Sequence, residues 1–344
     1  MAGEVTTVRR RWPLRIALAI LLGPILLVGT AWWTLALLEA GPGPDGVRLG
    51  LAIVYLAAVV IAFVRLPFRW ALAAWAAAYV LLLCWWWSLE PSNDRDWQPD
   101  VARLAKSRLE GDRLTVENVR DFEYRSETDF TPRWETRTYD LSHLRGMDLF
   151  LCYWGPRAIA HTIMSWDFDG GPPLAVSIET RKASGQTYSA VKGFFKQFTL
   201  VYVVADERDV VRLRTNHRGE HVWLYRLSGS VDDARRLLLD YLDTIDRLVD
   251  HPAFYDALTE NCTTSIRRHV KHVDPGAPPF DWRLLANGFG DELLYEHGRI
   301  DTSLPFEQLR AASRIDEKAR AADQDPDFSA RIRDGLPFPA SRRR

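Results

Sequence analysis

The stretch "FYDALTENCTTSIRRHV" (254–270) holds Cys262, one of three cysteines in a chain of 344 residues, at the start of a helical pattern. A thiol in a first helical turn faces unpaired backbone N–H groups and the positive end of the helix dipole, and both favour the thiolate. Those N–H groups could also hold the oxyanion of an attacked carbonyl. Cys262, Ile266, Val270 and Val273 recur at helical spacing, which predicts one face turned towards the rest of the domain. A nucleophilic cysteine further needs a base within hydrogen-bond reach. His269 lies seven residues along the same helix, roughly 10 Å away by the helical rise, and is too far to serve. His161 is the better candidate, because it interrupts the otherwise apolar, strand-like stretch "AIAHTIMSWDF" (158–168). If the "DGGP" turn pairs Trp166 with Leu174, the hairpin register sets His161 opposite Glu179. Cys262 is then nucleophile, His161 base and Glu179 orienter. Ser177, on the same strand face, is the rival orienter.

Asn261 and Thr263 flank the cysteine, and Arg181, Lys182, Arg212 and Arg214 could attract an anionic headgroup or a peptide carboxylate. The substrate-binding candidates are therefore Arg181, Arg214, Asn261 and Thr263. Competing readings make Cys262 a small buried hydrophobe and the strand cations a solvated face. Cys152 in "LFLCYW" and Cys84 in an apolar run read as structural. A Cys152–Cys262 disulfide in an oxidising compartment would remove the nucleophile altogether.

Two regions must carry these residues. The whole chain is 47% apolar and 26% charged with a net charge of -1, but residues 12–89 hold few of the charges. Three apolar runs, with spans at about 14–38, 48–65 and 69–88, are long enough to cross a bilayer as helices. Trp85, Trp86 and Trp87 close the third at the level of an aromatic belt. A cleaved signal peptide would explain one such run, not three. Arg9, Arg10, Arg11, Arg65 and Arg69 fall on one side of the spans, which predicts a cytoplasmic N-terminus and a periplasmic C-terminal domain at the bacterial inner membrane. Residues 1–93 form the membrane domain on this reading, and 94–344 the periplasmic one.

The second region reads as α+β, an antiparallel sheet with packed helices. Val101–Leu109 is expected to be a short helix. Strands are expected at 148–155, 158–168, 174–182, 198–205, 209–215 and 220–227. Ser230 caps a helix with Ala234, Leu237, Leu238, Tyr241 and Leu242 on one face, ending before Pro252. The cysteine helix follows and stops at "DPGAPP". The near-zero charge gives no bulk signal for nucleic acid, no cysteine or histidine spacing suits zinc, and no cofactor is implied.

"AHTIMSWDF", "LAVSIETRK", "GFFKQFTLVYVVADERDVVRLRTN" and "FYDALTENCTT", in that order, resemble the bacterial Lnb N-terminal periplasmic domain family over roughly residues 95–340. The resemblance implies a circularly permuted papain-like fold, as in NlpC/P60-type and lecithin:retinol acyltransferase-type proteins. It makes Cys262 and His161 the matches of the family's catalytic pair. The implied activity is a cysteine-dependent acyltransferase or hydrolase acting on lipoprotein or membrane lipid acyl groups. The alternatives are a peptidoglycan amidase or peptidase with the same pair, or a non-catalytic envelope module. The chain departs from a lipoprotein transacylase in one respect: its spans precede the periplasmic domain.

Overall fold

The computed structural model describes residues 12–274, 276–277 and 280–339. Arg9, Arg10 and Arg11, which weigh most in the expected orientation, lie outside the described residues. The chain divides into two compact units, one running to Pro91 and including Phe194–Gln197, the other covering Ser92–Gly193 and the chain from Phe198 onwards.

The first unit is built on α1 (Trp12–Ala40), α2 (Asp45–Arg65) and α3 (Phe68–Ser88). All three are long and apolar enough to cross a membrane. Ile20, Leu27, Val28, Val54 and Val64 are each more than half exposed, which suits lipid and not water as their surroundings. Pro44 and Pro67 stand at the N-caps of α2 and α3, where a missing N–H breaks no helical bond. α2 and α3 start directly after these prolines, slightly ahead of the expected spans.

The second unit centres on an eight-stranded sheet. Its strands are β1 (Lys106–Glu110), β2 (Arg113–Arg120), β5 (Trp134–Asp140), β6 (Leu144–Tyr153), β7 (His161–Phe168), β8 (Leu174–Arg181), β9 (Thr199–Ala205) and β10 (His221–Arg226), with β3 (Glu123–Tyr124) and β4 (Phe130–Thr131) forming a separate pair. The order is β1-β2-β9-β8-β7-β6-β10, with β5 also on β2. The sheet is mixed and not wholly antiparallel, because β2 meets β9 in parallel at Arg120 and Ala205. Trp166 pairs with Leu174 and Ile163 with Ser177, the register in which the "DGGP" turn closes the hairpin.

Helices cover both faces. On one, Met164, Trp166 and Val176 pack with Leu238, Tyr241 and Leu242 of α5 (Val231–Asp250). On the other, Cys152, Ile163 and Ala175 pack with Val210 and Val211 of α4 (Glu207–Arg212) and with the C-terminal helices. Burial on both faces explains why every residue of β7 is buried, the polar His161, Thr162, Ser165 and Asp167 included. Ser230 caps α5 in a reciprocal box with Asp233.

Three local expectations are corrected. Residues 209–215 do not make a strand: Asp206 caps α4, Glu207 and Asp209 favour its first turn, and a π-turn at Leu213–His217 follows. Residues 101–109 do not make a helix: a single 3-10 turn at Pro99–Val101 gives way to β1, which pairs with β2. Gly111, between them, holds the left-handed backbone (φ +63°) that so tight a turn requires. Finally, the buried side of α6 (Cys262–Val273) is Cys262, Ser265 and His269; Val270 is 36% exposed. The helix rolls this way because His269 stacks on Tyr241, their rings 3.9 Å apart.

Beyond α6 come turns at Trp282–Leu284 and Asn287–Phe289, then α7 (Gly290–Glu296), α8 (Phe306–Ala312), α9 (Asp316–Ala321) and α10 (Phe328–Arg331). All three cysteines are free thiols. Cys152 and Cys262 belong to the cores on opposite faces of the sheet, so the Cys152–Cys262 disulfide does not form.

Candidate active site

Cys262 owes its position to a capped helix start. Asn261 Oδ1 accepts from the Thr264 backbone N–H at 3.0 Å, and Thr264 Oγ1 accepts from the Asn261 N–H at 3.0 Å. This reciprocal box fixes the first turn of α6. With the Thr264 N–H taken by this cap, the Cys262 and Thr263 N–H groups are the first-turn donors that a substrate oxyanion next to Cys262 would meet. Cys262 is 8% exposed, and the neighbours of its sulfur are the Thr162 backbone N–H, the Thr263 hydroxyl and the His161 imidazole.

His161 is the first residue of β7, at the strand end that α6 approaches. Its Nε2 lies 2.7 Å from Ser177 Oγ and 3.1 Å from Glu179 Oε1. Ser177 Oγ in turn donates to Glu179 Oε1 at 2.7 Å, so the two residues act on the ring as a connected pair and not as rivals. Cys262 bonds to the same ring. Behind the carboxylate, Arg214 donates to Glu179 Oε1 at 2.9 Å and to both oxygens of Glu220 at 3.2 and 3.0 Å.

The electrostatics follow from this chain. Burial and the Arg214 charge both oppose protonation of His161, but the Glu179 carboxylate and the Cys262 sulfur outweigh them and carry its pKa up to about 9. Burial raises the Cys262 pKa, yet the bond and charge of His161, the Thr162 N–H and the Thr263 hydroxyl bring it below its usual value. Burial likewise works against a charged Glu179, and His161 and Arg214 together hold it ionised far into the acid range. Their mutual bond and charge thus push the imidazole up and the thiol down, the directions that favour a thiolate–imidazolium pair. Cys152 is opposite in behaviour: it pairs directly with His161 in the sheet register, but burial pushes its thiol well up.

Cys262 and His161 line a cavity of about 610 Å³. Trp154, Ile159, Tyr188 and Leu285, all more than half exposed, supply apolar wall, and Lys182 and Arg218 supply cationic wall. Asn261 also lines it. Arg181 is drawn elsewhere: its guanidinium donates to the Val101 and Ala102 carbonyls and to Asn93, and burial lowers its pKa to about 10. Arg214 reaches the cavity but is taken up by two carboxylates. Thr263 turns its hydroxyl to Asn287, which donates to it at 2.8 Å.

Sequence reasoning missed Glu220, the tyrosines of the cavity wall (Tyr188 and Tyr255) and Asn287. The Asn-Gly pair in "LLANGFG" reads as a plain turn, and nothing local marks its side chain for the site.

The fold and this site define a membrane protein whose α+β domain brings a buried thiol, a buried imidazole and a half-buried carboxylate together beside a cavity. Residues 130–288 match the family model described as the Lnb N-terminal periplasmic domain, the family that the motifs resemble. The matched segment contains Cys262, His161 and Glu179 and leaves out the three apolar helices. The chain is accordingly a membrane protein with a periplasmic domain. No curated protein and no solved structure matches it.

Proposed function

We propose that the domain is a thiol acyltransferase or hydrolase of permuted papain-like type, anchored in the inner membrane with its N-terminus in the cytoplasm. The observation that carries the reading is Cys262 at a capped helix start and His161, its ring held by Ser177 and Glu179, on the wall of one cavity. In the reaction, Cys262 Sγ attacks an ester or amide carbonyl as a thiolate, and the carbonyl oxygen takes the negative charge against the first-turn N–H groups of α6. The tetrahedral intermediate collapses, the C–O or C–N bond breaks, and the leaving alcohol or amine takes the proton from His161. An amine or water then attacks the thioester, His161 accepts its proton, and the thiolate returns. Glu179, Ser177 and Arg214 keep the imidazole oriented throughout.

An acyl chain is the favoured substrate group because Trp154, Ile159, Tyr188 and Leu285 give the cavity a large apolar rim. The acyl donor would be a membrane lipid or lipoprotein. The test incubates the purified full-length chain with a diacylglyceryl lipopeptide and follows the protein by intact mass. An acyl adduct on Cys262 that hydroxylamine removes supports the proposal. No adduct on Cys262 with the lipopeptide, together with cleavage of muropeptides, would shift the reading to an envelope amidase.

A further inference from the structure

We propose that Asn287 is a positioning residue of this thiol site: it locks the strand end bearing His161 to the helix start bearing Cys262 and commits the Thr263 hydroxyl to the thiolate. The proposal rests on the thiolate–imidazolium reading above. Three observations carry it. First, the Asn287 amide engages the backbone of Ala160, the residue before His161, at both ends. Its Oδ1 accepts from the Ala160 N–H at 2.8 Å and its Nδ2 donates to the Ala160 carbonyl at 2.6 Å. A side chain thus completes the pattern that a neighbouring strand would supply.

Second, the same Nδ2 donates to Thr263 Oγ1 at 2.8 Å and stands 3.8 Å from Cys262 Sγ. Thr263 Oγ1 is also 3.8 Å from the sulfur. A hydroxyl that accepts from Asn287 has its own hydrogen free, and the adjacent thiolate is the acceptor for it. Asn287 therefore acts on the sulfur chiefly through Thr263.

Third, the turn carrying Asn287 is docked too closely to drift. Gly288 donates to the Ala158 carbonyl at 3.2 Å and accepts from Tyr153 Oη at 2.6 Å. A Cβ at Gly288 would collide with the Arg157 carbonyl, so only glycine permits the approach.

The experiment measures alkylation of Cys262 by iodoacetamide against pH in the full-length protein, with site occupancy read by peptide mapping and folding by thermal midpoint. Asn287→Ala should raise the pH midpoint by about half a unit or more and slow alkylation roughly threefold or more near neutral pH. Asn287→Asp keeps the acceptor for Ala160 but loses both donated bonds, so it should be impaired at least as much. Thr263→Val should give a smaller shift in the same direction. A parent-like midpoint in a folded Asn287→Ala protein, or full rescue by Asn287→Asp, overturns the proposal. If Asn287→Ala does not fold, Thr263→Val decides, and an unmoved midpoint overturns it. A parent protein that itself titrates as an ordinary thiol would instead remove the proposed function, whatever Asn287 does.

Discussion

His161 and His269 are both buried, and each touches a carboxylate and a hydroxyl. His161 has Glu179 and Ser177; His269 has Asp240 Oδ2 at 2.6 Å from Nδ1 and Tyr202 Oη at 2.8 Å from Nε2. Listed by residue type, either set could pass for an acid–base triad. Their charge states differ. Burial outweighs Asp240 and lowers the His269 pKa, while Glu179 and the sulfur overcome burial and raise that of His161. Their surroundings differ as well. His161 opens on the cavity and meets a thiol, whereas His269 is closed under the ring of Tyr241 and is 2% exposed. A histidine with its partners satisfied is a structural device until a nucleophile and a space for substrate join it.

The contrast breaks most sharply at the sulfur. Cys262→Ser should abolish alkylation at that position and lower any acyl transfer by about a thousandfold or more, since a hydroxyl beside an imidazolium has no comparable nucleophilicity. Retained transfer, measured with the lipopeptide, would move the chemistry elsewhere in the molecule.

The two histidines should separate next. His161→Gln should slow transfer by roughly a hundredfold or more, because the leaving group loses its proton donor, and should raise the pH at which Cys262 is alkylated. His269→Ala should slow alkylation far less than His161→Gln, because its imidazole makes no bond to the sulfur and reaches it only through the stack on Tyr241 that sets the roll of α6. It should nonetheless lower stability by about 1–3 kcal/mol by stranding buried partners, read as a fall in thermal midpoint. Equal effects of the two substitutions on alkylation would dissolve the distinction.

A pH profile sharpens it further. Transfer should rise with pH as Cys262 ionises, below its usual range, and fall as His161 loses its proton through about 9. Alkylation, which needs no proton donor, should keep its plateau through that upper limb. In Glu179→Gln the carboxylate that raises the His161 pKa is gone, so the falling limb should move to lower pH. Ser177→Ala, which cuts the shared hydroxyl but keeps the charge, should move the same limb less. An unmoved limb in Glu179→Gln would make that carboxylate a partner of Arg214 alone.

Much of this was legible in the sequence, for a physical reason in each case. The helix start at Cys262, the capped start and apolar stripe of α5 and the 166–174 register are local or nearest-neighbour properties, and period and capping chemistry encode them directly. Residues 209–215 failed as a strand because β-branched valines pack equally well from a helix face, and only the Asp206 cap distinguishes the two. The His161–Ser177–Glu179 alignment was within reach of one hairpin. Glu220 and Asn287 were not, because they arrive from turns distant in sequence, and no spacing rule links residue 160 to residue 287.

The smallest expected effect concerns the other buried thiol. Cys152 faces His161 across the β6–β7 pair and shares its side of the sheet, so proximity alone would nominate it as readily as Cys262. Three features set it apart. It sits mid-sheet without a helix start beside it, it is fully buried among Phe150, Ile163 and Val222, and burial keeps its proton in place. Cys152→Ala should therefore leave the rate and pH midpoint of Cys262 alkylation unchanged. It should cost only about 1 kcal/mol of stability, from the small cavity left in an otherwise close-packed core. The check is a peptide map of the alkylated full-length chain in detergent, in which Cys262 should be modified first near neutral pH and Cys152 only on unfolding. Labelling of Cys152 in the folded protein at a rate comparable to Cys262 would show that burial does not hold its proton in place, and would erase the distinction between the two thiols.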